Sequence, residues 1–392
     1  MEITALETFI STFVDFVLDG EVEELSQQPG SNEISNAHPV QHGGTVDHAE
    51  LNASTLCDGL GGKVVYMVGP ISTTYALHSY LINALKPTSI KHASCVGPSF
   101  CPYHVLCSPP PTPSTDESHG RPHITPPDVV NTNTALLRYI PSTTLYAGTS
   151  QEDARFWRPM VDDTTGVRIE DGRWAKAVGR ADIIILGKAP VPAPAWSYEK
   201  DGGKGVAWWL EELHNRAKDR LDARSSELLD QVTSREGHLN TSSTRILEAA
   251  LRTTLTVFLP SVLGTLGDLV AHKGFSPILE KKAVIWHGSW YLRSKQCNFN
   301  HGDGIAGGRT VLARHLLQAK EAGDPWNAYH NAQVYMHDRL LRVLLPKYGI
   351  TYVPLTGIEA PGENVCWHDV FCDETVMGRM LFNVLNRAVD GL

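Results

Sequence analysis

The sequence predicts an α/β fold, a three-layer sandwich in which helices cover both faces of a mainly parallel central sheet. Short apolar runs rich in β-branched residues alternate along the chain with segments of helical periodicity, the pattern of strands joined by crossover helices. The runs are apolar at successive positions, as is typical of strands buried on both faces. The 392 residues are 42% hydrophobic and 20% charged, which suits a large folded core and excludes wholesale disorder.

The first predicted strand is Lys63–Val68, with the sequence KVVYMV. Gly69 and Pro70 end it, and an amphipathic helix is predicted to open at the hydroxyl run STT, from Ser72, and to continue to Ala84. A strand, a tight turn and a helix are therefore expected in succession.

The second predicted strand is Asp182–Leu186, with the sequence DIIIL. A short helical pattern at Trp174–Val178 precedes it, and a loop broken by prolines, Gly187–Trp196, follows it. Two long helical patterns come next, at Val206–Val232 and Ser243–His272. The proline at position 260 is expected to kink the second of these helices.

The remaining predicted elements are two strands and two helices. They are the strands Ala283–Trp286 and Thr351–Leu355, and the helices Trp326–Leu345 and Thr375–Val389. Residues 1–60 are predicted to form a poorly structured N-terminal arm, since residues 20–60 are polar and lack a hydrophobic period. Residues 61–392 are predicted to form a single α/β domain with an exposed proline-rich loop at 108–128.

The charge balance limits the classes of partner. A net charge of −9 at pH 7 argues against nucleic acid and anionic membranes, because both attract a basic surface. The apolar stretch Phe9–Leu18 contains Asp15 and follows Glu2 and Glu7, so an amphipathic helix is predicted there instead of a signal peptide. No uninterrupted apolar run approaches the roughly 18 residues that a membrane span requires, and none is predicted. A small-molecule or glycan substrate fits better.

Seven cysteines leave the redox compartment open. Two local clusters are Cys95, Cys101 and Cys107 in the first third of the chain, and Cys366 and Cys372 near its end. Short disulfide loops are predicted, one within the C-terminal pair and one between two members of the first cluster. With His104 the first cluster also supplies four zinc-type ligands, but its spacing matches no familiar zinc motif, so disulfides or buried thiols are favoured.

Ligands of open parallel sheets gather at the carboxyl ends of the strands, where helix N-termini point their N–H groups. The loops predicted at that edge are Gly69–Thr74, Gly187–Trp196, His287–Trp290 and the segment after Leu355 that reaches Cys366 and His368. Ser72 is placed to act as a nucleophile whose oxyanion the helix dipole stabilises. The same position suits a helix N-cap, and both roles remain open.

Other residues at this edge also carry two interpretations. His287 and Trp290 either line a sugar or acyl pocket or close the core. Lys188 either attracts an anionic group or is a solvated loop lysine, and the second is favoured. The stretch NFNHGDG, residues 298–304, lacks the ordered ligand spacing of a calcium or zinc site, and no strand leads into its glycines. Neither a metal nor a dinucleotide cofactor is therefore predicted.

Four segments, taken in order, resemble the PC-esterase branch of the SGNH-hydrolase superfamily, which includes the trichome-birefringence-like acetyltransferases. They are VGPISTTYALHSYL, RWAKAVGRADIIILGKAP, VIWHGSWYL and VCWHDVFC, which begin at Val68, Arg173, Val284 and Val365. In the family, these blocks hold the nucleophilic serine, an oxyanion-hole asparagine loop, an aromatic and serine-rich turn, and the catalytic histidine between two cysteines. The resemblance spans about residues 63–392.

This sequence departs from the family pattern at several positions. The family's serine falls on Ile71 and its preceding aspartate on Pro70, so Ser72 or Thr73 would have to supply the hydroxyl. The asparagine falls on Gly187, which offers only a backbone N–H. His368 matches the catalytic histidine. The orienting aspartate falls on Val365, and the substitutes nearby are Glu363 and Asp369.

The resemblance implies an SGNH-hydrolase-like fold and an acyl esterase or O-acyltransferase acting on an O-acylated sugar or glycan. In this interpretation Ser72 attacks the acyl carbonyl and His368 accepts its proton. The implied oxyanion or pocket residues are Gly69, Thr73, Gly187, His287 and Trp290. The resemblance also implies the secretory pathway, although this chain shows no signal peptide. The competing hypothesis is a catalytically degenerate pseudoenzyme that binds a glycan or protein partner.

Overall fold

The computed structural model describes residues 53–85, 95–96, 103–107, 134–198 with short gaps, 205, 208–212, 241–271, 283–290, 325–355 and 385. The strands are β1 (Val64–Gly69), β2 (Cys95–Val96), β3 (Tyr103–Leu106), β4 (Ala135–Pro141), β5 (Met160–Val161), β6 (Arg168–Ile169), β7 (Ile183–Gly187), β8 (Ala283–His287) and β9 (Thr351–Val353). The α-helices are α1 (Ala53–Leu60), α2 (Thr74–Leu85), α3 (Ala175–Val178), α4 (Thr241–Thr253), α5 (Leu259–Ala271) and α6 (Pro325–Leu344). Single 3-10 turns cover Ala154–Phe156, Ala195–Tyr198 and Leu345–Tyr348.

The central sheet has the strand order β2-β3-β4-β1-β7-β8-β9. Strands β4, β1, β7, β8 and β9 are parallel to one another, while β3 pairs antiparallel with β4 and β2 antiparallel with β3. All four predicted strands belong to the parallel part, so the prediction of a mixed α/β fold with a mainly parallel sheet is confirmed. The strands β2, β3 and β4 and the small hairpin β5–β6 were not predicted.

Strand β1 lies in the middle of the parallel part, and its connections set the topology. The chain passes from β1 to β4 on one side, then returns past β1 to β7 and continues outward through β8 to β9. Connections therefore leave β1 and β7 in opposite directions, which makes the space above their carboxyl ends the topological switch point. Gly69 and Gly187 are the last residues of these two strands.

Helices pack on both faces of the sheet because each parallel strand is apolar on both sides. In β1, Val64, Tyr66 and Val68 face one core, whereas Val65 and Met67 face the other. The first core includes Trp174 beside α3, the α5 residues Leu259, Val262, Leu266 and Leu269, and the α6 residues Leu340, Leu341 and Leu344. The second includes Leu56 and Leu60 of α1, Leu77, Leu81 and Leu85 of α2, and Leu385.

The helix predicted over residues 243–272 is interrupted before Pro260, not at it. A π-helical segment, Thr254–Phe258, joins α4 to α5 and ends two residues before the proline. Proline lacks the N–H that would bond four residues back, and its ring crowds that carbonyl, so a wider turn relieves the clash. The hydroxyl of Thr256 donates to the Arg252 carbonyl oxygen at 2.8 Å within this segment.

Within the described residues, Ala249–Val270 forms a helical stretch long and apolar enough to cross a membrane by length and composition. Core helices of water-soluble proteins meet the same criterion. This stretch buries Phe258, Leu259, Val262 and Leu266 in the core on one face of the sheet. Its composition alone is therefore no argument for a membrane span.

Two predictions need correction near residue 57: the end of the N-terminal arm, and the pairing of Cys107 within its own cluster. The last eight residues of the arm form α1, and its Leu56 and Leu60 are 0% and 1% exposed, so the folded part begins before residue 61. Cys57 is bonded to Cys107, with 5.3 Å between the Cα atoms. Cys107 is thus paired with a distant cysteine and not within its own cluster, and it is unavailable as a zinc ligand. Residues 1–52, Cys101, Cys366 and Cys372 lie outside the described residues.

Candidate functional site

The turn between β1 and α2 carries the predicted nucleophile. The backbone N–H groups of Thr73 and Thr74 both donate to the Pro70 carbonyl oxygen, at 3.4 and 3.0 Å, which folds residues 70–73 into a tight turn. Ser72 is exposed in this turn, and Ile71 beside it is 60% exposed. Because the helix begins at Thr74, the residue that flanks it is Thr73 and not Ser72.

The buried hydroxyl at this helix start belongs to Thr74, which pairs with His287. The distance between Thr74 Oγ1 and His287 Nε2 is 2.9 Å, and His287 Nδ1 lies 2.7 Å from the Gly288 carbonyl oxygen. A carbonyl only accepts, so Nδ1 carries the proton and donates to it, and Nε2 accepts from the threonine hydroxyl. Burial lowers the pKa of His287 to about 4, which keeps the imidazole neutral near pH 7.

Two glycines make room for this pair at the switch point. A Cβ added to Gly69 would lie 2.0 Å from Thr74 Oγ1, and one added to Gly187 would lie 2.0 Å from His287 Nε2. Both distances are far below van der Waals contact, so any larger residue would displace the hydroxyl or the ring. Gly187, predicted to supply an oxyanion N–H, therefore has a clear steric role beside the threonine and histidine.

Lys188 is not the solvated loop lysine that was favoured. Only 7% of its surface is exposed, and Nζ donates to the Thr144 carbonyl oxygen at 2.7 Å. Burial lowers the pKa of its amine to about 8, and the negative charge of Asp171 partly opposes that shift. The hydroxyl of Ser289 donates to the Lys188 carbonyl oxygen at 3.3 Å and so links this residue to the end of β8.

Asp171 organises the loop after β4. Its carboxylate accepts from the hydroxyl of Ser142 at 2.8 Å and from the backbone N–H and hydroxyl of Thr144 at 3.0 and 2.7 Å. The guanidinium Nε of Arg155 lies 3.7 Å from the same carboxylate. Ser142 N–H donates in turn to the Gly69 carbonyl oxygen at 2.9 Å, which ties this loop to the end of β1.

Helix α6 holds the loop that follows β7. The side-chain amide of Gln333 accepts from the Val191 N–H and donates to the Val191 carbonyl oxygen, both at 3.0 Å. His330 Nε2 lies 3.3 Å from the Trp290 carbonyl oxygen. The first half of α6 is therefore bound to the carboxyl edge of the sheet at two points.

The structure brings together only part of the predicted site. Gly69, Gly187 and His287 converge around Thr74, a residue that the sequence reasoning passed over in favour of Ser72. Thr73 is buried next to them, and its hydroxyl has no hydrogen-bond partner. Trp290 is partly buried at the same edge.

The residues that sequence reasoning missed are Thr74, Ser142, Thr144 and Asp171. The signal for Thr74 was present, since the run STT opens the helix, but its partner lies 213 residues away. His368, Glu363 and Asp369 lie outside the described residues. Among the residues that the structure describes, no group of three or more His, Cys, Asp and Glu side chains could hold a metal ion.

Comparison of the chain with models of protein families, with curated proteins and with solved structures gave no match.

Proposed function

We propose that the chain is an acyl-ester hydrolase or O-acyltransferase that acts on an O-acylated sugar or glycan. The proposed nucleophile is Ser72, and the proposed general base is His368. The observation that carries this proposal is the position of Ser72, which is exposed in the turn between β1 and α2 at the topological switch point of the sheet. The resemblance to the PC-esterases and to their SGNH-hydrolase-like fold also supports a catalytic site at this edge of the sheet.

The neighbourhood of Ser72 favours the chemistry of acyl transfer. The turn leads directly into α2, a helix of 12 residues, and the positive end of a helix dipole stabilises an oxyanion that forms near it. When a serine hydroxyl attacks an acyl carbonyl, the base takes its proton and the alcohol of the ester leaves after accepting a proton back. Water or a second sugar hydroxyl then releases the acyl group from the serine.

A second candidate function has an observation of its own. The histidine found beside the helix start, His287, bonds to the buried Thr74 and not to Ser72. Thr74 and His287 are 0% and 1% exposed, so a substrate cannot reach them without a rearrangement. This arrangement favours a pseudoenzyme that keeps the fold and binds a glycan or protein partner without catalysis.

A fluorophosphonate probe separates these two functions because it labels only an activated serine. We expect the intact protein to be labelled, and mass spectrometry to place the adduct on Ser72. Ser72→Ala and His368→Ala should each abolish labelling. The matched control is Ser79→Ala, a partly exposed serine in α2, the helix that follows the turn, and it should leave labelling unchanged.

Absence of labelling in the folded, unmutated protein would favour the pseudoenzyme. Labelling that survives in Ser72→Ala would place the nucleophile elsewhere. In the enzyme, Ser72→Ala and His368→Ala should also be non-additive in turnover of an activated acetyl ester, since a nucleophile and its base act as one unit.

A further inference from the structure

Two pairs of aromatic side chains, each with one ring in the turn Ala195–Tyr198, form an aromatic platform at the end of the loop that follows β7. This aromatic platform consists of Trp196, Tyr198, Trp208 and Trp326. The rings of Tyr198 and Trp326 stack with an angle of 15° and 4.8 Å between centroids, and those of Trp196 and Trp208 lie 4.5 Å apart at 53°. Tyr198 is nevertheless 49% exposed and Trp208 59% exposed.

Hydrogen bonds and ring packing hold the aromatic platform in place. Trp326 Nε1 donates to the hydroxyl of Ser197 at 3.2 Å, and that hydroxyl donates to the Pro194 carbonyl oxygen at 2.6 Å. Trp209, next to Trp208, is 2% exposed and meets the ring of Tyr329 edge to face, with 4.7 Å between centroids. Exposed rings on a fixed base lose little conformational entropy when they bind a ligand.

The platform lies at the same edge of the sheet as Ser72. The 3-10 turn Ala195–Tyr198 ends the loop from the carboxyl end of β7, and Trp326 is in the first turn of α6. The bonds of α6 to Val191 and Trp290 fix that helix start against the loops after β7 and β8. Among the exposed aromatic residues of the described part of the chain, Tyr75, Trp157 and Tyr198 lie in the segments that follow β1, β4 and β7, and Trp208 contacts Trp196 in the last of these segments.

The chemistry of the platform selects its ligand. In each pair an inner ring already fills the space next to the exposed ring, so the pairs offer flat surface and not an open cage of the kind that encloses a quaternary ammonium group. Flat aromatic surface with polar edges suits a ring that has apolar C–H faces and polar substituents, as a pyranose has. Glu211 and Glu212 belong to the same helical residues 208–212 as Trp208, and Glu211 is exposed, which disfavours an anionic ligand.

We infer that the aromatic platform is a binding site for the pyranose rings of a neutral oligosaccharide. This inference rests on the proposed function, because it names the sugar part of the proposed substrate and the residues that hold it. Tyr198 and Trp208 are the contact residues, and Trp326 and Trp196 support them. Binding here requires no covalent step, so it can be measured whether or not Ser72 reacts.

The test uses the full chain carrying Ser72→Ala, so that no acyl transfer contributes. Xylohexaose and cellohexaose are titrated while tryptophan fluorescence and the heat of binding are followed, with trigalacturonate as the anionic comparison. We expect a neutral hexasaccharide to bind and Trp208→Ala and Tyr198→Ala each to weaken binding by about tenfold, the scale of one lost aromatic contact. Trigalacturonate should bind more weakly than either neutral hexasaccharide.

Trp157→Ala is the matched control, because this tryptophan is 68% exposed at the same edge but belongs to the loop after β4. Trp157→Ala should leave affinity unchanged. The inference is overturned if neither hexasaccharide binds, if trigalacturonate binds best, or if Trp157→Ala weakens binding as much as Trp208→Ala. Self-association in sedimentation that Trp208→Ala abolishes would instead make the platform an interface between copies. If the fluorophosphonate probe fails to label a serine, by contrast, the esterase proposal is contradicted, but the oligosaccharide titration still tests the aromatic platform.

Discussion

The hydroxyl of Thr74 donates to Nε2 of His287 across the carboxyl ends of β1 and β7, and so joins the start of α2 to the end of β8. Removing the hydroxyl should leave a buried imidazole nitrogen without a partner. We expect Thr74→Val, which keeps the shape of the side chain, to lower the free energy of unfolding by about 1–3 kcal/mol. Urea titration measures the change. Thr74→Ser keeps the donor and should be closer to the unmutated protein; equal stability of Thr74→Val and the parent would contradict the bond.

Gly187→Ala tests the packing around the same pair. The added Cβ would lie 2.0 Å from His287 Nε2 and 2.6 Å from Thr74 Oγ1, so the substitution should destabilise the fold by about 1–3 kcal/mol or more. Gly264→Ala is the control, because this glycine is in α5 and its added Cβ would meet nothing within 4 Å. Alanine is the better helix former by about 1 kcal/mol, so Gly264→Ala should stabilise the protein. Thermal melts that move both variants in the same direction would count against this account.

The stability of the protein should fall as the pH is lowered from about 6.5 to 4. Burial lowers the pKa values of His78, His287 and His330 to about 4 each. Between pH 4 and 6.5 the unfolded chain therefore binds more protons than the folded one, and the free energy of unfolding decreases by about 1.4 kcal/mol per pH unit for each such histidine. Urea titrations at several pH values measure this slope.

His78→Phe isolates one contribution to that slope. Neither ring nitrogen of His78 has a hydrogen-bond partner, so phenylalanine removes the titrating group without breaking a bond. The ring also lies 5.1 Å from that of His104, whose charge further lowers the pKa of His78. Between pH 4 and 6.5, we expect the difference in bound protons between the unfolded and folded states to be smaller by about one in the variant, and the pH slope of the unfolding free energy to be correspondingly shallower. An unchanged slope would show that His78 is not buried in its neutral form.

The Cys57–Cys107 bond should be found by mass spectrometry after digestion under non-reducing conditions. It closes a loop between residues 50 positions apart, for which chain entropy predicts about 4 kcal/mol of stabilisation. Reduction should therefore lower the melting temperature of the parent protein, whereas the double variant Cys57→Ala/Cys107→Ala should melt lower and should not respond to a reductant through this bond. Alkylation of both thiols without reduction would refute the pairing.

The predictable part of the fold is the part with a strong local signal. The runs in β1, β7 and β8 are apolar at nearly every position, so their strands could be located from sequence within one or two residues. Strand β4 gave a weaker signal because Arg138 and Pro141 interrupt its apolar run. Arg138 stays partly exposed and lies over the ring of Tyr66, an arrangement that depends on the neighbouring strand. The short edge strands β2 and β3 take their form from pairing with β4.

The proximity of three candidate site residues could be predicted from sequence, but the contact that they share could not. The rule that ligands gather at the carboxyl ends of strands pointed to Gly69, Gly187 and His287, and the structure does bring these residues together. Their shared neighbour is Thr74, and nothing local to the sequence distinguishes its hydroxyl from that of Ser72. Lys188 was misjudged because its burial depends on the Thr144 carbonyl, 44 positions earlier in the chain.

The central position of β1 has a consequence for how the chain reaches its native state. Val64–Gly69 must pair with Ala135–Pro141 on one side and Ile183–Gly187 on the other, so the middle of the sheet forms only after contacts across about 70 and 120 positions have closed. Proteins dominated by such distant contacts fold slowly. The bond between Cys57 and Cys107 shortens the first of these searches, because it ties α1, just before β1, to the residue that follows β3, and β3 pairs with β4. We therefore expect refolding from urea to be faster with this disulfide intact than after its reduction.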